Sequence, residues 1–131
     1  MLALIHPDKN LTVIATDEPG PGGAHHNYAI GVLGEEVTET AADGSVITKR
    51  PSIACCPIKF QNGGVEEAGA NGVTNEALLE IVRHRLLCFQ AGPFPCDENQ
   101  SAHDHIQRAL NMLYRRTTKR RKKGIEGQQT L

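Results

Sequence analysis

Thr74-Asn-Glu-Ala-Leu-Leu-Glu-Ile-Val-Arg-His-Arg-Leu-Leu-Cys-Phe-Gln-Ala-Gly-Pro93 is followed at once by Phe94-Pro-Cys-Asp-Glu-Asn-Gln-Ser-Ala-His-Asp-His-Ile-Gln-Arg-Ala-Leu-Asn-Met-Leu113. Together these segments decide the fold. In the first, Leu78, Leu79, Val82, Leu86 and Phe89 recur at helical spacing. Thr74 or Asn75 can cap that helix, and Glu76 and Glu80 sit in its opening turns, where the helix dipole favours acids. Ala91-Gly92-Pro93 stops it, because proline cannot continue the hydrogen-bond ladder. In the second, Ala102, Ile106, Ala109, Leu110 and Leu113 form one apolar stripe. Asp97 is expected to cap this helix, with Gln100 completing a capping box. A connector this short brings the two helices together antiparallel.

Working outward, residues 1–60 read as β structure. Apolar or β-branched runs fall at 2–5, 11–16, 27–33, 45–48 and 52–60. Turn residues separate them at 7–10, 19–23 and 42–44, and Asp43-Gly44 is a hairpin-turn pair. Residues 61–73 carry Gly63, Gly64, Gly69 and Gly72 with few large apolar groups, and read as a loop between two lobes. The expected fold class is therefore α+β, a small antiparallel β domain before an antiparallel helical hairpin. The expected divisions are a β domain at 1–62, a glycine-rich linker at 63–73, the hairpin with its basic helix end at 74–123, and a polar tail at 124–131.

Composition narrows the function. The 131 residues are 39% hydrophobic, 4% aromatic and without Trp, so the core is small and self-association is expected. No apolar run approaches the roughly 20 residues of a membrane span, and Met1 to His6 lacks a basic, then apolar, leader pattern, so a cytoplasmic location is expected. Cys55, Cys56, Cys88 and Cys96 do not form a disulfide framework and read as reduced, partly buried thiols. The net charge of −1 conceals an asymmetry: residues 1–73 carry −5 and residues 74–131 carry +4.

The basic half is concentrated at 115–123, with seven cations in nine residues. If the second helix continues there, Arg116 and Arg120 share a face beside Thr117. Guanidinium forks and a hydroxyl suit phosphate oxygens. A solvated helix end that complements the dipole is an alternative. So is a small nucleic-acid-binding regulator, although only Tyr114 supplies an aromatic nearby. Pro19-Gly-Pro-Gly-Gly23 lacks the Gly-Lys-Ser/Thr ending of a phosphate loop and reads as a turn. The six histidines and four cysteines do not reproduce metal-ligand spacing, so neither metal nor cofactor is expected. No Gly-x-Ser-x-Gly or locally activated cysteine is present, and Glu35-Glu36 and Glu66-Glu67 read as solvated surface. Nothing marks an enzyme. Phe89 beside Gln90, with Phe94, Asp97 and Asn99 following, could stack on a base and read its edge; the other reading makes Phe89 core.

Four stretches carry a resemblance. They are Asp17-Glu-Pro-Gly-Pro-Gly-Gly-Ala-His-His-Asn-Tyr28, Lys59-Phe-Gln-Asn-Gly-Gly-Val-Glu-Glu-Ala-Gly-Ala-Asn-Gly-Val-Thr-Asn-Glu-Ala-Leu-Leu79, Arg85-Leu-Leu-Cys-Phe-Gln-Ala-Gly-Pro-Phe-Pro-Cys-Asp-Glu-Asn99 and Arg116-Thr-Thr-Lys-Arg-Arg-Lys-Lys-Gly-Ile-Glu-Gly127. In order and spacing they resemble the first-described family of phage Thoeris anti-defence proteins. The hairpin also resembles a module of phage anti-CBASS sponge proteins. The resemblance implies a non-catalytic homo-oligomer, a hexamer in some relatives, assembled through the hairpins in the cytoplasm of an infected bacterial host. It implies ligands held intact between protomers: cyclic ADP-ribose isomers and, in some relatives, cyclic dinucleotides and trinucleotides. Phe89 and Asn99 then fall in an adenine-nucleotide pocket, and Arg116 and Thr117 in a second pocket for cyclic oligonucleotides. Arg120 joins the second by helical adjacency. The chain departs from the family pattern in a tail richer in Lys and Arg and in a lengthened segment at 50–56.

Overall fold

The structure, a computed structural model, describes residues 1–122. Lys123 and the expected tail at 124–131 lie outside the described residues. The chain divides into two compact units, Met1–Lys59 and a second that begins at Phe60.

The first unit is built on one antiparallel sheet. Its strands are β1 (Leu2–Ala3), β2 (Leu11–Ala15), β3 (Asn27–Leu33) and β6 (Ser52–Lys59), in the order β1-β2-β3-β6. The register places Leu11 opposite Val32, Val13 opposite Ile30 and Ala15 opposite Tyr28; across the next pair Ile30 meets Cys56 and Tyr28 meets Ile58. Because side chains alternate along a strand, these residues share one largely apolar face. Gly31 sits on the other face, where a Cβ would come within 2.5 Å of the Thr12 hydroxyl oxygen. Arg50 ties the surrounding loops together. Its guanidinium donates to the carbonyls of Gly34, Lys9 and Leu33 and to Asn10 Oδ1.

A separate two-stranded hairpin joins β4 (Val37–Thr40) to β5 (Val46–Lys49). Asp43-Gly44 forms its turn. Gly44 has φ +88°, and Asp43 accepts from the backbone N–H and hydroxyl of Ser45. β4 is absent from the strands expected on sequence, because Glu35-Glu36-Val-Thr-Glu-Thr40 has too few apolar residues to mark a strand. Its partner strand supplies the ladder instead.

The second unit opens with the glycine-rich stretch, which is hydrogen-bonded within itself. Gln61 Nε2 donates to the carbonyls of Gly63 and Gly69, and Gln61 Oε1 accepts from the Asn71 N–H. Asn71 in turn exchanges two bonds with the Asn62 backbone. A single helical turn, α1 (Val65–Ala68), lies inside this stretch.

The helical hairpin follows as α2 (Asn75–Ala91) and α3 (Asp97–Lys122). Thr74 caps α2 by accepting the Ala77 N–H at 3.1 Å. The box expected at the start of α3 does not form. Asp97 is already inside the helix, and the Cys96 carbonyl takes the Gln100 N–H. The Cys96 N–H is satisfied from across the turn by Gln90 Oε1 at 2.9 Å. Contacts show the antiparallel pairing: Gln90 meets Gln100 near the turn, and Glu80 meets Tyr114 farther along. Glu80 accepts from the Tyr114 hydroxyl and, at 2.9 Å, from Arg83. These bonds, Arg83 first, hold its carboxyl below the usual glutamate range, while the same contact raises the Tyr114 hydroxyl.

The sign of this shift fixes a pH response. A carboxyl whose folded value is depressed adds stability above its unfolded value and loses it as the pH falls through the folded one. The hairpin is therefore expected to melt at lower temperature at pH 3 than at pH 7. Glu80→Gln is expected to melt earlier than the native chain at pH 7 and to show a smaller drop on acidification, with circular dichroism at 222 nm as readout. An identical pH response in both proteins would show that Glu80 does not lock the helices.

Little of this chain is fully buried. Among the described residues only Ala15 and Leu110 are hydrophobic and buried, and His26 is the one buried polar side chain. On the hairpin, Ile81 is 59% and Met112 60% exposed, and on β6 Ile53 is 69% exposed. The cysteines correct their expectation as well: Cys55, Cys56, Cys88 and Cys96 are all exposed free thiols in the single chain, not partly buried ones.

Candidate functional site

Phe89 lies in the last turn of α2, three residues before the Gly92 cap whose N–H bonds back to its carbonyl. Helical periodicity places Phe89 on the apolar stripe, yet its side chain is 51% exposed. It is therefore not core. Arg85, one turn earlier, puts its guanidinium carbon 5.5 Å from the centre of the Phe89 ring. That distance lies within the range of cation–π attraction. Phe94, at the turn itself, is 86% exposed. Asn99 stands half-buried in the first turn of α3. The Gln90 side chain bridges the turn to Cys96 and Gln100 and so holds the two helix ends together.

The residues on either side of the hairpin turn thus include two exposed aromatic rings, a guanidinium and side-chain amides. Such a set can stack a planar base, hydrogen-bond its edge and attract an anion. With Phe89 and Phe94 this exposed, it forms an open platform in one chain and not a closed pocket. Arg85 is the residue that sequence reading missed. The signal was present, since an i, i+4 spacing from Phe89 puts the two side chains on one helix face.

The second group lies elsewhere. Helix α3 continues through the basic run to Lys122, so Arg116 and Arg120 do stand one turn apart. Arg116 is exposed, whereas Thr117 and Arg120 are half-buried. The Thr117 hydroxyl donates to the Leu113 carbonyl at 3.2 Å, and Thr118 does the same to Tyr114. Thr117 must give up that bond before it can donate to a phosphate. From Asn99 to Arg116 the helix rises about 26 Å at 1.5 Å per residue. One small ligand on one chain cannot touch both groups.

A further polar cluster occurs in the first unit. The Asp17 carboxylate accepts from the His26 N–H at 3.0 Å and the Asn27 amide at 3.2 Å, with the His25 ring 3.5 Å away. Partial burial pushes the Asp17 carboxyl up, but its hydrogen bonds outweigh this and hold it below the usual value. These bonds close the Pro19–Gly23 loop over His26, which is a structural task. Among the described residues no group of three or more His, Cys, Asp or Glu side chains is placed to hold a metal ion. No described helix is long and apolar enough to cross a membrane.

The class defined by these features is a small α+β protein: a thin antiparallel sheet followed by a helical hairpin that presents an aromatic, cationic and amide surface at its turn. Residues 56–118, just under half of the chain, match the family model described as the Acb2/Tad1 hairpin domain. It is also 46% identical over 70 residues to Thoeris anti-defense 1 of Bacillus phage SBSphiJ7. The match covers 53% of this chain and 49% of the relative, so the chain spans about half the length of the curated relative it matches. Both findings bear out the resemblance to the phage Thoeris anti-defence family.

Proposed function

We propose that this protein is a phage anti-immune sponge. It binds cyclic ADP-ribose isomers, and cyclic di- and trinucleotides at a second site, and holds them without cleaving them. It acts in the cytoplasm of the infected bacterial host, where sequestered messenger no longer reaches the Thoeris or CBASS effector. The observation that carries this reading is the half-exposed Phe89 ring, backed by Arg85, with Asn99 across the same turn.

Stacking of a base on an aromatic side chain is worth about 1–3 kcal/mol. Holding a ligand to nanomolar free levels takes about −12 kcal/mol. Tight pockets enclose most of a small ligand, and an open platform does not. A neighbouring copy must therefore cover the ligand, which supports a homo-oligomer, in this reading a hexamer. The exposed Ile81, Met112 and Ile53 support it too, since a chain with so little fully buried apolar surface gains stability from assembly. Symmetry would then gather Arg116, Thr117 and Arg120 from several copies around one anion.

Titration with a panel of cyclic ADP-ribose isomers and cyclic oligonucleotides tests the two sites. Arg116→Ala is expected to weaken cyclic oligonucleotide binding about tenfold to a hundredfold, the scale of one charge-assisted hydrogen bond, and to leave cyclic ADP-ribose binding unchanged. Equal loss of both ligands would overturn the two-site assignment. The exposed cations at the end of α3 also suit a nucleic-acid-binding regulator. Duplex DNA bound without sequence preference, with a steep salt slope and no cyclic nucleotide binding, would favour that reading.

A further inference from the structure

The side chain of Arg85 is exposed and lies against Phe89, on the outer surface of α2. Among the described residues no carboxylate pairs with it; the ion pairs of α2 run through Glu80 and Arg83 instead. Its guanidinium carbon is 5.5 Å from the ring centre, well beyond a close stacking distance of about 3.5–4 Å. The group is therefore attracted to the ring without being locked on it, and its N–H donors remain available beside the ring. A planar base stacked on Phe89 would carry its attached phosphates within reach of that guanidinium.

Resting on the sponge reading above, we propose that Arg85 is a ligand-contacting residue of the Phe89 site and selects phosphate-bearing nucleotides over uncharged nucleosides. The ring alone accepts any flat base, because every base has a π face. Asn99 offers an amide that reads a base edge and carries no charge. The turn therefore needs a cation to discriminate in favour of a pyrophosphate, and Arg85 is the cation beside it. A guanidinium suits this task because its fork can meet two phosphate oxygens at once. The i, i+4 spacing gives the arrangement a second consequence. It keeps the guanidinium on the helix face that carries Phe89 before ligand arrives.

The test compares the native chain with Arg85→Ala and Arg85→Lys, using a cyclic ADP-ribose isomer and adenosine as probes at 50 and 300 mM salt. Arg85→Ala is expected to lose about tenfold to a hundredfold in affinity for the cyclic ADP-ribose isomer, to bind adenosine as the native chain does, and to show a flatter salt dependence. Arg85→Lys is expected to recover the salt dependence and part of the affinity, since it keeps the charge and loses the fork. Helix content and particle size should match the native chain in both variants. If Arg85→Ala binds the cyclic ADP-ribose isomer as tightly as the native chain, or loses adenosine equally, Arg85 serves only to support the ring and the proposal is overturned. If the native chain binds no cyclic ADP-ribose isomer at either salt concentration, the sponge reading fails and this inference falls with it.

Discussion

Phe89→Ala is expected to weaken binding of cyclic ADP-ribose-type ligands by about fivefold to more than a hundredfold, the range of one lost base stack, while the helices remain folded. The two halves of this expectation rest on the same observation. Phe89 is 51% exposed, so truncation removes little buried apolar contact from the single chain. The ring also has Arg85 against it. Removing the ring costs the stack and leaves Arg85 without its positioning contact, so the loss should exceed that from Arg85→Ala for an uncharged base. Phe89→Leu keeps the bulk but not the π face and is expected to bind almost as poorly as the alanine variant. Calorimetric titration with parallel circular dichroism measures both. A folded Phe89→Ala protein with native affinity would remove Phe89 from the site.

Leu110→Ala is expected to destabilise the hairpin by about 2–5 kcal/mol, the range for large-to-small changes at buried leucines. Leu110 is 0% exposed and is the largest fully buried side chain among the described residues. Its neighbours on the same stripe, Ile106 and Leu113, are only half-buried, so no second layer of packing can absorb the lost volume. Met112→Ala provides the contrast. Met112 is 60% exposed, and its truncation should hardly change the stability of a dissociated chain. If the hairpins assemble through that face, Met112→Ala instead raises the concentration at which the oligomer dissociates. Urea unfolding and concentration-dependent light scattering separate these effects. A Leu110→Ala midpoint equal to that of the native chain would show that the hairpin is held by contacts between copies rather than by this side chain.

The helical hairpin was legible because several local signals agreed. A threonine cap, acids in the first turn, a helical apolar period and a Gly-Pro stop all point to α2, and α3 repeats the period over a longer span. The start of α3 was misread for a specific reason. Asp97 and Gln100 have capping-box spacing, but Gln90 reaches across the turn to the Cys96 N–H, a contact that spacing along one helix cannot reveal. The strand β4 was missed because a hairpin partner can impose pairing on a segment with three glutamates in six residues. Within the candidate site, the residue types at Phe89 and Asn99 were readable. Exposure was not, because periodicity assigns a residue to a stripe but not to the covered or open part of it. The role of Arg85 depends on a rotamer that leans toward the ring, so the spacing made the contact possible and only the folded helix showed it. The separation of Arg116 from Asn99 follows from helix rise once α3 is seen to run unbroken to Lys122.

Sequestration without turnover has a direct measurement. The protein is mixed with a cyclic ADP-ribose isomer below stoichiometric amounts, removed by ultrafiltration, and then denatured, and both filtrate and released material are analysed by mass spectrometry. The ligand is expected to vanish from the filtrate and to return chemically intact after denaturation, in proportion to the protein added. Ligand left in the filtrate, or recovered as a hydrolysed product, would contradict the sponge function.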